Sequence, residues 1–102
     1  MKYIEVNGDT ATIKVAGRFD LIRTAEVMQE VSMAFSSQGC TKICVDFAET
    51  TFIDSSAIRD LGKLYRKVKS DNFSAKNASG EVYSALYAMK LDTLWNLKPP
   101  MA

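Results

Sequence analysis

Between residues 10 and 47 the chain changes its hydrophobic period twice, and this constrains the fold more than anything else in the sequence. Residues 10–16 alternate, with Ala11, Ile13 and Val15 on one side and Thr10, Thr12 and Lys14 on the other. A period of two is that of a strand with one buried face. Leu21, Ala25, Met28, Val31 and Phe35 then recur at steps of three and four, which predicts a helix over residues 22–35 with those side chains as its apolar stripe. Arg23, Glu26, Gln29 and Glu30 fall on its wet side. Alternation returns over residues 41–47, with Ile43, Val45 and Phe47 opposite Cys44 and Asp46. A strand, a helix and a strand in succession call for a right-handed crossover that sets the two strands parallel.

A further strand precedes this unit. Tyr3 and Glu5 alternate with Ile4 and Val6, and Asn7-Gly8-Asp9 follows. Asn-Gly is a strong hairpin signal, because both residues tolerate positive φ. An antiparallel hairpin joined to a parallel pair makes a mixed sheet. Gly17 ends the second strand, Asp20 is placed to cap the first helix, and Gly39 to close it in the left-handed region.

Residues 55–68 predict a second helix with Ala57, Ile58, Leu61, Leu64, Tyr65 and Val68 as its core stripe. Its basic residues gather towards the C-terminal end, where the helix dipole favours them. Gly62 lies inside it at a cost of roughly 1 kcal/mol relative to alanine, which suggests close packing against a neighbour. Residues 73–78 predict a short strand. Residues 80–90 predict a third helix that Ser79 could cap, with Val82, Leu86 and Met89 buried. Residues 91–97 form a closing segment in which Trp95 reads as a packing anchor. The fold class is thus α/β, a compact single domain over residues 1–98 with a mixed sheet, an N-terminal hairpin and helices packed on it, and a tail over residues 99–102.

Composition removes several functions. The chain has 102 residues, 47% of them hydrophobic, and a formal net charge of +1. That size sustains one core, and that charge carries no nucleic-acid footprint. No window approaches the roughly 20 apolar residues of a membrane helix, so no membrane insertion is expected and a cytoplasmic location follows. Cys40 and Cys44 fit no zinc or redox spacing. Cys44, inside an apolar strand, reads as a buried thiol, and Cys40 as a loop residue after Gly39. There is no histidine, which removes the commonest general base and metal ligand. No glycine-rich phosphate loop is present, and no cofactor or metal is expected.

What remains is the step Phe52-Ile53-Asp54-Ser55-Ser56-Ala57-Ile58. Two hydroxyls at a helix start can cap it. The same position tolerates a phosphate, since unpaired N–H groups and a partial positive charge meet there. A phosphoryl group on Ser55 adds nearly two negative charges, and Arg59, one turn on, could reach it. Asp54 would repel it. Asp20 and Asp54 could in principle be an acid–base pair, though such pairs are more often caps or solvated charges. Ser55 as a catalytic nucleophile has no histidine to activate it, and Lys63 and Lys67 lie too far along the helix.

The order of these elements resembles the STAS domain of bacterial anti-sigma factor antagonists. Gly17-Arg18-Phe19-Asp20 is similar to the family's Gly-x-x-Asp step. Phe52-Ile53-Asp54-Ser55-Ser56 is similar to its apolar-apolar-Asp-Ser-Ser/Thr step, and Leu91-Asp92-Thr93-Leu94-Trp95 to its closing segment. Ala57-Ile58 stands where Gly-Leu is usual, and Arg18-Phe19 where an acidic-apolar pair is usual. The resemblance implies a non-enzymatic regulatory phosphoprotein. Ser55 would be phosphorylated by a partner serine kinase of the anti-sigma or switch type and restored by a PP2C-type phosphatase, the dephosphorylated form binding the partner. It implies that Asp20, Asp54, Ser56, Ile58 and Arg59 contact that partner, with Ser56 the second choice of phosphosite. The rival within the same fold is an assembly subunit of an ABC-type lipid transporter, not phosphorylated.

Overall fold

The computed structural model describes residues 1–100. Its first two strands, β1 (Ile4–Asn7) and β2 (Thr10–Lys14), form an antiparallel hairpin in which Asn7 pairs with Thr10. The two linking residues are therefore Gly8 and Asp9. Only Gly8 has positive φ, at 61°, the pattern of a type II′ rather than a type I′ turn. The hairpin is as expected, but the asparagine ends the strand instead of occupying the turn.

The chain then forms β3 (Gly17–Phe19), α1 (Leu21–Ser37), β4 (Lys42–Asp46), β5 (Thr50–Ile53) and α2 (Ser55–Val68). After a single 3-10 turn at Ser70–Asn72 come β6 (Phe73–Lys76), α3 (Gly80–Ala88) and α4 (Leu91–Leu94). The main sheet has the order β1-β2-β4-β6, with β2, β4 and β6 mutually parallel. This is the mixed sheet read from the alternation. A second sheet was not foreseen: β3 pairs in parallel with β5, and no other strand among the described residues joins them. Each is too short to show a period, so only the pairing reveals them as strands.

One face of the main sheet is buried and the other is wet. Ile4, Ala11, Ile13, Ile43, Val45, Phe73 and Ala75 point into the core, where Val27, Val31 and Ala34 of α1 and Ala57, Leu61 and Leu64 of α2 meet them. Cys44 is only half-buried on the opposite face, and Cys40 is the buried thiol. Cys40 lies in the loop after Gly39 as expected; Cys44, expected to be buried, is not, because alternation alone does not say which face of a strand is covered.

The stripe of α1 also turns. Thr24, Val27, Val31 and Ala34 are buried, while Leu21 and Ala25 are exposed and Met28 and Phe35 only partly buried. The apolar repeat had room for two overlapping stripes, and packing selects the one containing a threonine. On α3, Val82 and Leu86 are buried as expected but Met89, beyond the helix end, is exposed. The Ser79 hydroxyl makes no capping bond there. At the other end of α1, Gly39 takes φ of 70° and the Cys40 N–H returns to the Ala34 carbonyl, as expected of a left-handed cap.

Gly62 does not serve close packing. A β-carbon built there would meet only the end of the Arg66 side chain, at 3.7 Å, and the residue has ordinary helical φ. Gly62→Ala should therefore raise the unfolding free energy by about 0.5–1 kcal/mol, chiefly by narrowing the unfolded ensemble. Urea denaturation checks this; a lower midpoint would show that the space around Gly62 is needed.

Candidate functional site

The two-stranded β3–β5 sheet brings the site together. The Gly17 N–H donates to the Glu49 carbonyl at one end (2.9 Å), and the Asp54 N–H to the Phe19 carbonyl at the other (3.1 Å). Each strand runs straight into a helix: β3 through Asp20 into α1, β5 through Asp54 into α2. Zipping the strands together therefore sets the two helix N-termini side by side.

Asp54 joins them. Its Oδ1 accepts the Ala57 N–H at 2.9 Å, capping α2. Its Oδ2 accepts the Leu21 N–H at 3.0 Å, in the first turn of the other helix. One carboxylate thus satisfies an unpaired donor on each helix. Asp20 caps only its own helix, accepting the Arg23 N–H at 3.1 Å and pairing with the Arg23 guanidinium at 3.2 Å. The Arg23 amide, and then the Arg23 charge, hold the Asp20 carboxyl below its ordinary value. Asp20 and Asp54 both act as helix caps.

The serines are released by this arrangement. Asp54 supplies the side-chain cap of α2, so the hydroxyls of Ser55 and Ser56 do not. Ser55 is the first residue of the helix and is exposed; Ser56 is half-buried. Arg59 is exposed one turn along, its Nε 3.8 Å from Asp60 Oδ1. Ile58, expected at the partner surface, is not there: it is 8% exposed and belongs to the core. The helical period explains this, since Ile58 lies between Ala57 and Leu61 on the buried side.

Three features escaped sequence reasoning. Leu21 and Ile22 are 60% and 71% exposed beside the Asp54 cap. The Thr24 hydroxyl, inside the α1 stripe, donates to Asp60 Oδ2 at 3.1 Å and ties α1 to α2. The Arg18 guanidinium lies over the Phe52 ring, 4.1 Å from its centroid, because the two residues are partners in the β3–β5 pairing. A threonine in an otherwise apolar stripe was the one visible signal for the second of these. Among the described residues no group of three or more His, Cys, Asp or Glu side chains could hold a metal ion, and no helix is long and apolar enough to cross a membrane.

A mixed sheet with helices stacked on it, and two helix starts tied by one aspartate, define a small α/β domain. The chain belongs to the STAS domain family: the family model described as "Mlab, STAS domain" matches residues 4–98. Its fold is similar to that of the anti-sigma factor antagonist SpoIIAA in its unphosphorylated form, with 21% identity, a TM-score of 0.77 and coverage of 96% of this chain and 86% of that one. An anti-sigma factor antagonist from Mycobacterium paratuberculosis is similar at 18% identity, TM-score 0.73, covering 96% of this chain and 84% of that one. The Bacillus cell fate determinant SpoIIAA in its phosphorylated form is similar at 20% identity, TM-score 0.71, covering 96% and 89%. At these identities the likeness speaks for the fold. No curated protein is matched by the sequence.

Proposed function

We propose that this protein is a regulatory phospho-switch of the anti-sigma factor antagonist type. It binds a serine kinase of the anti-sigma or switch class when dephosphorylated, and phosphorylation of Ser55 releases it. A PP2C-type phosphatase resets it, and the exchange takes place in a bacterial cytoplasm. The protein is the substrate of an enzyme and not itself one. The observation that carries this reading is the exposed Ser55 at the first position of α2, uncommitted to capping and beside a second helix start. A phosphate there meets the partial positive charge of both helix ends.

The test is to incubate the purified chain with ATP and a lysate of the source organism and to map phosphate by mass spectrometry. Phosphate on Ser55, lost in Ser55→Ala, is the expected result. Phosphate confined to Ser56 would move the switch by one residue, and no phosphate under any growth condition would end it. With the kinase in hand, Ser55→Glu should weaken its binding by about tenfold or more, as a charge left unmatched in an interface does, while Ser55→Ala should bind like the unmodified protein.

A second reading has one observation in its favour: the matching family model carries the Mlab description, not that of a sigma regulator. In that reading the same surface holds the ATPase of an ABC-type lipid transporter and Ser55 stays unmodified. Stable co-purification with such an ATPase, with no phosphate found, would select it.

A further inference from the structure

We propose that the face at the paired helix starts docks a partner segment that is apolar at its centre and acidic at its rim, and that Arg18 selects for the acid. The inference deepens the switch reading, since it names the chemistry of what the switch binds.

The formal charges of this face nearly cancel, but their exposure does not. Its acids are turned inward. Both Asp54 oxygens are taken by backbone amides. Asp20 is held by Arg23. Asp60 has a side chain only 14% exposed and bonded to Thr24. Its cations reach outward: Arg59 has a side chain 61% exposed, and Lys63 stands beyond it on the next turn, also largely exposed. The two helix ends add partial positive charge of their own. A partner therefore meets positive potential around Leu21 and Ile22, two large apolar side chains with little cover.

Arg18 is the preorganised member. It is exposed, and its guanidinium lies over the Phe52 ring. Among the described residues it joins no ion pair. The contact with the ring leaves the guanidinium N–H donors without a protein acceptor among the described residues. A planar fork held in place is suited to a carboxylate through two parallel hydrogen bonds, and less is lost in ordering it. A lysine at that position would offer only a mobile point charge.

The sign of the switch agrees. A phosphate on Ser55 brings about 1.5–2 negative charges into this cationic face. It would draw Arg59 to itself and repel an acidic rim, so an acidic partner leaves on phosphorylation. A basic partner would instead be held more tightly.

Two synthetic peptides test the chemistry directly: one with a leucine-rich centre flanked by glutamates, the other with lysines in place of the glutamates. NMR on the isotope-labelled full chain reads where each binds. The glutamate peptide should shift the amides of Arg18, Leu21, Ile22 and Ser55, less so at high salt, and the lysine peptide should not. Arg18→Glu should weaken the glutamate peptide about tenfold, Arg18→Lys should keep part of the affinity, and Ser55→Glu should weaken it as well. Equal binding of both peptides, no shifts at this face, or an unchanged affinity in Arg18→Glu would overturn the proposal. If the peptide response is present but Ser55 is never phosphorylated in cells, the docking chemistry stands and the switch falls.

Discussion

Trp95→Ala is expected to lower the unfolding free energy by about 3–5 kcal/mol, the usual cost of truncating a buried aromatic. For a chain this short the melting temperature should fall by roughly 15 °C or more. Trp95 is 1% exposed and ends a line of three rings. It lies 5.3 Å from Phe73, which in turn meets Tyr65 edge-on at 5.5 Å. The line runs from α2 through β6 to the end of α4, so it fastens the C-terminal segment to the sheet. The indole Nε1 is buried without a hydrogen-bond partner among the described residues. Trp95→Phe removes that donor and keeps a ring, and the relief of an unsatisfied group offsets part of the lost packing. It should therefore cost only about 1 kcal/mol. Circular dichroism in urea separates the two variants; a Trp95→Ala protein within about 1 kcal/mol of the parent would mean that the segment is not docked through this side chain.

Asp54→Ala should cost about 2–3 kcal/mol, because one side chain serves two helix starts and each lost cap is worth about 1 kcal/mol or more. Asp20→Ala, which removes a cap from α1 alone, should cost about 1 kcal/mol. Amide hydrogen exchange gives the sharper reading. In Asp54→Ala the first turns of both α1 and α2 should lose protection; in Asp20→Ala only that of α1 should. Loss confined to α2 in the Asp54 variant would show that its bond to the Leu21 N–H contributes nothing. The result also bears on function. If Asp54 chiefly joins the two helix starts, its substitution disperses the surface around Ser55, so a binding defect in Asp54→Ala does not by itself make Asp54 a partner contact. Asp54→Asn, which retains one acceptor oxygen, should fall between the parent and Asp54→Ala in stability.

The sequence was most legible where a period ran long enough to repeat. The hairpin, the parallel strands β2 and β4, both long helices and the position of Ser55 followed from alternation, from the three-to-four spacing and from turn residues. It was less legible where several placements satisfy the same pattern. The α1 stripe lies one position from the expected one because Val27 and Met28 are both apolar, and only the sheet beneath the helix chooses between them. Ile58 follows its helical phase into the core, as the stripe of the second helix predicts, and not the partner surface that the resemblance implies. Cys44 is half-buried instead of buried for a similar reason, since a strand pattern names two faces without saying which is covered.

The sequence by itself determined the order of the main-sheet strands and the three longer helices, the mixed sheet and a serine pair at a helix start, because these depend on local periodicity and on single turn or cap residues. Only the tertiary structure decided what that serine pair sits beside. The β3–β5 sheet consists of residues more than thirty positions apart, each strand too short to carry a signal, and its hydrogen bonds set α1 and α2 side by side. Asp54 could then reach across to the Leu21 amide, leaving both serine hydroxyls out of the cap, and Arg18 came to lie over Phe52. A cap is a property of neighbours in sequence; a cap shared between two helices exists only once the chain has folded back on itself.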